Sequence, residues 1–256
     1  MKRFYLQHLL ELVLTAVFLL TSCHSAYEIT KVEGGRVPID STWDVKPDTE
    51  AVALLVPYKA KIDSVMYSVV GTAEFSMDRS RPESLLSNLV ADVLRESAAE
   101  VLSKPADMGL VNIGGIRNSL TKGLVRTENI YEILPFENSL CVLTVRGSVL
   151  KRLFENIAAK GGEGVSGVQL KISKNGKLLQ GTIGGKLVAD EGVYTIATID
   201  YLADGNDGMI ALPQADKREC PKDATVRSLF MKYVEAQTAA GKKVTSRMEG
   251  RITIED

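Results

Sequence analysis

Residues 107–139 read DMGLVNIGGIRNSLTKGLVRTENIYEILPFENS, an apolar run followed by a glycine pair and later by a loop with proline and phenylalanine. Residues 108–112 predict a short buried strand, because a brief apolar run that ends at turn-forming residues is typical of one. Gly114 and Gly115 end this strand, and glycine lets backbone amides approach a ligand closely. Residues 127–131 predict a short helix capped by Thr127. The segment therefore predicts a strand, a ligand loop and a helix in succession.

Three side chains of this segment suit a small anionic, aromatic ligand. Asn112 carries both a hydrogen-bond donor and an acceptor, which matches a heteroaromatic edge. Arg117 offers a planar fork of donors to phosphate or hydroxyl oxygens, although a tight turn with a surface arginine would read the same way. Phe136 follows Pro135 in a loop, where its ring can stack on a base or instead fill the core.

Histidine is nearly missing from the 256 residues. His8 and His24 are the two in the chain, and both lie in or beside its N-terminal segment. The rest of the chain therefore offers no imidazole to a metal or a proton relay, and without a CxxC pair it has no ligand set for zinc. We expect neither a metal site nor a catalytic residue in this chain.

The composition is that of a globular protein with a core, at 45% apolar and 25% charged residues. The net charge is -1 and the pI is about 6.2. Such a chain has no basic field to concentrate a polyanion, so nucleic acid is not an expected partner. A small charged metabolite remains compatible with this charge.

The N-terminus has the pattern of an export signal. Lys2 and Arg3 precede the apolar residues 12–20, a stretch too short to span a bilayer but suited to a signal peptide. The sequence LTSC then ends at Cys23, which resembles a bacterial lipobox; an ordinary signal peptide with a chance cysteine is the alternative. The prediction is a lipid on Cys23 and a location in the bacterial cell envelope, lipid-anchored and facing the periplasm or the surface.

The predicted organisation has three parts: a lipoprotein signal peptide over 1–22, a tether over 23–47 and one domain over 48–256. Apolar spacing predicts an amphipathic helix over 48–66 despite Pro57. Further helices are predicted over 87–102, 149–159 and 224–240, and strands over 68–75, 140–146, 165–172, 193–199 and 251–254. Because strands and helices alternate along the chain, an α/β or α+β fold with mixed sheets is favoured.

Two cysteines remain beyond the N-terminus, Cys141 and Cys220. In an exported protein they could form a disulfide. Cys141, however, lies in the apolar run of residues 140–143, which favours a small buried hydrophobic side chain instead.

Four separated segments together resemble the C-terminal, substrate-binding domain of the 5'-nucleotidase family. They are SNLVAD at 87–92, NIGGIR at 112–117, LPFEN at 134–138 and YLADGNDG at 201–208. Their order and spacing match the family over roughly residues 50–254. The resemblance implies a layered α/β/β/α sandwich with mixed sheets, in which the ligand loops gather at one edge.

The resemblance also implies roles for individual residues. Positions matching Asn112 and Arg117 contact the nucleotide, with the backbone of the glycine pair between them. Phe136 and Tyr201 match two aromatic residues that sandwich the base, and Asp207 matches an aspartate that holds ribose hydroxyls. From the residues alone, Tyr201 could equally be structural and Asp207 could form a turn.

The sequence departs from the family pattern at three positions. Pro82 stands where the family often has arginine, although Arg79 and Arg81 lie close by. Ile113 replaces the first of three consecutive glycines. Tyr201 stands where phenylalanine is more usual, which keeps the aromatic ring and adds a hydroxyl.

Residues before Asp48 contain nothing that resembles the family's N-terminal metallophosphoesterase domain, which binds two metal ions. We therefore expect the chain not to hydrolyse nucleotides by itself. One hypothesis makes it the nucleotide-binding half of a split 5'-nucleotidase, with divalent metals on a separately encoded metallophosphoesterase. The alternatives are a stand-alone lipoprotein that binds nucleotides or nucleosides, and an interaction protein with a vestigial pocket.

Overall fold

The computed structural model describes Tyr5, His8, Glu11, Leu12 and residues 27–256. Cys23, the predicted lipidation site, lies outside the described residues, as does most of the predicted signal peptide. The chain divides into two compact units, Met1–Val52 and Ala53–Asp256. In the part of the chain that the structure describes, no helix is both long enough and apolar enough to cross a membrane.

The first regular elements within residues 27–256 are exposed. A 3-10 helix covers Ser41–Val45, and helix α1 covers Thr49–Met66 with Pro57 inside it. The apolar spacing correctly predicted a helix here, but no residue of α1 is buried. Its large apolar side chains are exposed, among them Leu54, Leu55 and Ile62.

Within residues 67–256 the α-helices are α2 (Leu85–Ser97), α3 (Ala99–Leu102), α4 (Thr127–Ile133), α5 (Gly147–Ala159), α6 (Asp200–Ala203) and α7 (Val226–Ala239). The strands are β1 (Val69–Ala73), β2 (Met108–Val111), β3 (Gly123–Arg126), β4 (Leu140–Arg146), β5 (Gly164–Ser166), β6 (Val168–Ser173), β7 (Leu178–Ile183), β8 (Lys186–Leu187), β9 (Val193–Ile199), β10 (Lys217–Glu219) and β11 (Ile252–Glu255). Short 3-10 helices cover Ile113–Gly115, Asn206–Gly208 and Leu212–Gln214.

These strands form three sheets. The five-stranded sheet has the order β10-β4-β9-β2-β5, the four-stranded sheet has the order β11-β6-β7-β8, and β1 pairs with β3. In the five-stranded sheet β2 and β9 run parallel while the other neighbours are antiparallel. The four-stranded sheet is also mixed, since β11 runs parallel to β6. The predicted α/β class with mixed sheets is confirmed.

The helices cover the sheets through apolar faces. Helix α2 begins at Leu85 after the cap Ser84, whose hydroxyl accepts a hydrogen bond from the Ser87 amide, and it packs against β2, β5 and β9. Helix α5 buries Leu153 and Phe154 and packs against β4 and β9 as well as against β6 and β7. Through α5 the two larger sheets share one hydrophobic core.

Two local predictions were wrong. Residues 165–172 do not form one strand, because Gly167 adopts a left-handed φ of 78° and separates β5 from β6, which belong to different sheets. Thr127 is not the cap of α4 but its first helical residue. The cap position is Arg126, whose backbone amide is bound by the side chain of Asn129 at 2.9 Å.

The cysteine interpretation also needs correction. Cys141 is fully buried, as expected, but it forms a disulfide with Cys220. The physical reason is the pairing of β10 with β4, which places Glu219 opposite Val142 and brings the two cysteine Cα atoms within 4.2 Å. The sequence pattern gave no indication of a strand at 217–219, so this proximity could not be anticipated.

The strand order places four connections at one edge of the five-stranded sheet. Strands β2 and β9 are parallel neighbours, so the residues that follow Val111 and Ile199 leave the sheet on the same side. Leu140 pairs with Ile199 and Gly164 pairs with Val111 in antiparallel register, so the residues that precede β4 and β5 arrive at that same edge. This edge carries the candidate site.

Candidate functional site

A cavity of about 340 Å³ opens at this edge of the sheet. Its lining residues are Asn112, Gly114, Gly115, Phe136, Asn138, Tyr201 and Asp207. Six of the seven side chains and glycines predicted for ligand binding therefore lie together. The seventh, Arg117, is exposed and does not line the cavity; its guanidinium donates a hydrogen bond to the carbonyl oxygen of Gly114 at 3.1 Å.

Asn112 and Asp207 form the polar floor of the cavity. Asn112 directly follows β2 and is 6% exposed, and its Nδ2 donates a hydrogen bond to Asp207 Oδ2 at 3.0 Å. Asp207 has a left-handed backbone with φ 53° and ψ 27°, an uncommon conformation that aspartate tolerates better than most residues. The amide oxygen of Asn112, Oδ1, is buried and has no hydrogen-bond partner. Leaving a buried acceptor unpaired costs roughly 1 to 3 kcal/mol.

Lys160 holds the second oxygen of the same carboxylate. Its Nζ lies 2.7 Å from Asp207 Oδ1. This charged hydrogen bond, assisted by the one from Asn112, lowers the pKa of Asp207 below its usual range, although partial burial acts in the opposite direction. Asp207 is therefore an anion, and its two oxygens are already oriented by neighbours.

A second carboxylate supports the loop that begins at Asn112. Glu163 is 1% exposed, and its Oε2 accepts a hydrogen bond from the backbone amide of Ile113 at 2.6 Å. Arg81 pairs with the other carboxylate oxygen and donates from Nε to the Gly162 carbonyl at 2.8 Å. Burial raises the pKa of Glu163, against the opposing effects of the Ile113 amide and Arg81.

Glu163 and Arg81 lie beside two of the positions where the sequence departs from the family pattern, namely Ile113 and Pro82. Ile113, which stands at the first glycine position, is buried and its amide is occupied by Glu163. Arg81 is engaged by Glu163 and Gly162 and does not line the cavity, and neither does the exposed Arg79. The cation next to Pro82 is therefore Arg81, which supports the loop through Glu163 and not from within the cavity.

Two aromatic rings form the other side of the cavity. Phe136 is 48% exposed and Tyr201 is 43% exposed. A hydrogen bond links the two segments that carry these rings: the Asp200 amide donates to the Ser139 carbonyl oxygen at 2.9 Å. Exposed rings at a cavity mouth offer faces on which a planar ligand can stack, as bases do on aromatic side chains. Because Phe136 is about half exposed, it does not fill the core.

Comparison with known proteins agrees with this geometry. A sequence profile described as "5'-nucleotidase, C-terminal domain" matches residues 69–214, more than half of the chain. The chain belongs to this family. Since the profile covers β2, β4, β9 and the loops that follow or precede them, the family match and the cavity concern the same residues.

Individual relatives extend the comparison. The chain is 28% identical to an apyrase of Aedes aegypti over 89% of its own length, and 26% identical to the "Trifunctional nucleotide phosphoesterase protein YfkN" of Bacillus subtilis over 84%. The crystal structure of a 5'-nucleotidase precursor from Thermus thermophilus superposes with a TM-score of 0.69 at 24% identity, over 81% of this chain. This superposition supports the fold.

All three relatives are much longer than the matched region. The chain spans 42% of the apyrase, 16% of the phosphoesterase and 43% of the Thermus nucleotidase. Among the residues that the structure describes, no group of three or more His, Cys, Asp or Glu side chains is arranged to hold a metal ion.

Sequence reasoning missed three residues of this site. Asn138 lines the cavity and lies two residues after Phe136, so the LPFEN segment already contained it. Lys160 and Glu163 precede β5. The signal that would have found them is the antiparallel pairing of β5 with β2, which was hidden as long as 165–172 was interpreted as one strand.

Proposed function

We propose that this chain binds a nucleoside or nucleotide in the cavity at the sheet edge. The observation that carries the proposal is the buried, unpaired Oδ1 of Asn112 in a cavity flanked by Phe136 and Tyr201. A planar ligand between the rings would bury aromatic surface, and a donor on that ligand would satisfy the orphan acceptor. The aspartate at 207 suits hydroxyl groups of a ribose, as the family resemblance implies.

The binding experiment uses calorimetry on the isolated chain with a panel of nucleosides, their 5'-monophosphates and ribose 5-phosphate. We expect saturable binding of at least one base-containing ligand. Ribose 5-phosphate should bind more weakly, because it lacks the ring that stacks. A protein that binds no member of the panel would contradict the proposal.

We further propose that the chain is the nucleotide-binding half of a split 5'-nucleotidase. The support is the membership of residues 69–214 in the 5'-nucleotidase C-terminal domain family and the nucleotide phosphoesterase among the similar proteins. A separately encoded metallophosphoesterase would supply divalent metal ions and the activated water, while this chain would hold the base and ribose. On this proposal the chain alone is inactive.

The test mixes the purified chain with candidate exported metallophosphoesterases and AMP. Phosphate release should exceed the sum of the two separate proteins, and the gain should disappear with the Phe136→Ala/Tyr201→Ala variant. Binding without any gain in release would favour a stand-alone nucleotide- or nucleoside-binding lipoprotein. Absence of nucleotide binding together with a stable protein partner would favour an interaction protein with a vestigial pocket.

The proposed location is the bacterial cell envelope, through a lipid on Cys23. The support is the LTSC sequence after a short apolar stretch. Growth with labelled palmitate should label the wild-type protein and leave Cys23→Ser unlabelled. Equal labelling of both, or of neither, would contradict lipidation at this residue.

A further inference from the structure

Arg227 contacts the loop that carries Phe136 without entering the cavity. It lies in the first turn of α7 and is 8% exposed. Its Nη1 donates hydrogen bonds to the carbonyl oxygens of Leu134 and Pro135, each at 3.1 Å, and Nη2 pairs with the carboxylate of Glu137. One guanidinium therefore binds the residues on both sides of Phe136.

The same guanidinium lies over the ring of Tyr131 in α4, the helix that precedes the loop. Its central carbon is 4.2 Å from the centroid of Tyr131 in α4. A guanidinium at this distance is attracted by the ring face, and its planar fork of donors can serve several acceptors at once. Arg227 thus joins the last turn of α4 to the loop and to α7.

The backbone just before Arg227 is hydrogen-bonded to residues 138–140, where the loop ends and β4 begins. The Val226 amide donates to the Asn138 carbonyl at 2.9 Å, and the Leu140 amide donates to the Ala224 carbonyl at 2.8 Å. The disulfide from Cys220 to β4 lies a few residues earlier. The start of α7 is therefore held against residues 138–140, and from there Arg227 reaches the loop.

Phe136 depends on such external support. With 48% of its surface exposed, the ring gains only part of the packing energy that full burial would give. A stacking face is useful to a ligand only if the ring is already held in place, since ordering it on binding costs free energy. The contacts of Arg227 lie on the backbone that determines where this ring points.

We propose that Arg227 is a positioning residue for Phe136 and so sets the affinity for the base of the ligand. This inference rests on the proposed nucleotide binding. Because Arg227 is buried and its donors are engaged by the loop, it does not contact the sugar or the phosphate. Its loss weakens binding of ligands that have a base and spares ligands that lack one.

The variants are Arg227→Leu, Arg227→Lys and, as a control, Arg146→Leu, which removes an exposed arginine at the far end of β4. Calorimetry or ligand-observed NMR gives the affinities for AMP and for ribose 5-phosphate. For Arg227→Leu we expect roughly a tenfold loss for AMP, comparable to losing one stacking contact, and no change for ribose 5-phosphate. Arg227→Lys should lie between, since an ammonium cannot span both carbonyls and Glu137.

A double-mutant cycle separates positioning from general damage. In the Phe136→Ala background, Arg227→Leu should cost no further AMP affinity, because the ring that it positions is already gone. An equal loss in both backgrounds, or an equal loss for ribose 5-phosphate, would overturn the proposal. If Arg227→Leu does not fold, the same cycle is measured with Arg227→Lys, which should weaken AMP binding in the wild-type background and not in the Phe136→Ala background.

Hydrogen exchange on the ligand-free protein gives a readout that needs no nucleotide. Arg227→Leu should increase the exchange rate in peptides covering 134–138 and leave the rate in peptides covering 108–117 unchanged. The Arg146→Leu control should show the wild-type exchange rate in both ranges. Unchanged exchange over 134–138 would overturn the positioning role whatever the ligand is. If the loop loosens but wild type binds no nucleotide, the positioning role stands and the proposed function fails.

Discussion

The two sides of the cavity are built in opposite ways. The polar side, defined by Asn112, Glu163 and Asp207, is held by short hydrogen bonds and charged pairs that are complete except at one amide oxygen. The aromatic side, defined by Phe136 and Tyr201, leaves nearly half of each side chain exposed. The polar side has its hydrogen bonds in place before a ligand arrives, except at Asn112 Oδ1, whereas the aromatic side gains contacts when a ligand covers it.

This difference assigns separate physical tasks to the two sides. A preorganised polar group contributes selectivity, because a ligand that fails to pair with it leaves a buried acceptor unsatisfied. Half-exposed rings contribute affinity, since they release surface from water when a planar ligand covers them. Changes on the aromatic side should therefore reduce binding of all bases, whereas changes on the polar side should alter which ligand is preferred.

The largest expected effect concerns the covalent support of the aromatic side. The Cys141–Cys220 disulfide closes a loop with a sequence separation of 79 residues. The Cys141→Ala/Cys220→Ala variant should lose about 4 kcal/mol in free energy of unfolding, from the greater entropy of the unlinked unfolded chain. Urea denaturation of the oxidised wild type and the variant measures this. A variant as stable as wild type would mean that the surrounding hydrogen bonds suffice.

The next effect concerns the two rings. Phe136→Ala and Tyr201→Ala should each weaken nucleotide binding by about 1 to 3 kcal/mol, the usual value of a base stacked on an aromatic side chain. Calorimetry measures the affinities, with Tyr27→Ala as a control because that ring is 97% exposed and lies outside the cavity. If only one of the two variants loses affinity, the base stacks on one ring and not between two.

A smaller effect is expected from neighbouring glycines on the polar side. A Cβ at Gly115 would come within 2.8 Å of Asn112 Oδ1, whereas a Cβ at Gly114 would have no neighbour closer than 3.6 Å. Gly115→Ala should displace the Asn112 amide and cost roughly 1 to 2 kcal/mol of ligand affinity, and Gly114→Ala should cost less. Calorimetry with one nucleotide compares the pair. Equal losses would show that bulk in the loop, and not the amide, matters.

The smallest effect is a pH dependence on the polar side. Burial raises the pKa of Glu163, so the native state holds this proton more tightly than the unfolded state and stability falls as pH rises through the folded pKa. Asp207 has the opposite sign: its lowered pKa contributes stability above the usual aspartate range, which is lost as pH falls through the folded pKa.

Thermal unfolding of wild type and Glu163→Gln between pH 4 and 7 separates these contributions. The stability of wild type relative to Glu163→Gln should decline as pH increases, since glutamine keeps the oxygen that binds the Ile113 amide and cannot ionise. A difference that stays constant with pH would mean that Arg81 fully offsets the burial of the carboxylate.

The sequence predicted best those elements whose pattern is local. The strands at 140–146 and 193–199 were predicted with the observed bounds, because alternating apolar residues ended at clear turn signals. The ligand loops were found through glycines, a proline-aromatic pair and the family resemblance. What these have in common is that neighbours in sequence carry the information.

The sequence failed where the information lies in pairing between distant strands. The disulfide required β10 to pair with β4, and the contributions of Lys160 and Glu163 required β5 to pair with β2. Arg227 reaches a loop about 90 residues earlier in the chain. None of these contacts follows from spacing or composition, since each depends on how the sheet is ordered.

The gathering of four connections at one sheet edge has a consequence for how this site can be altered. All seven cavity-lining residues follow β2 or β9 or precede β4, outside the hydrogen-bonded ladders of the sheet. Substitutions there change ligand preference without unpairing a strand, so one loop can be redesigned while the others are kept. Loops at this edge can therefore be varied one at a time, provided that the buried side chains of Leu134, Leu202 and Ala203 are kept. Libraries that vary the exposed positions 135–137, or positions 201, 204 and 206, should retain the fold.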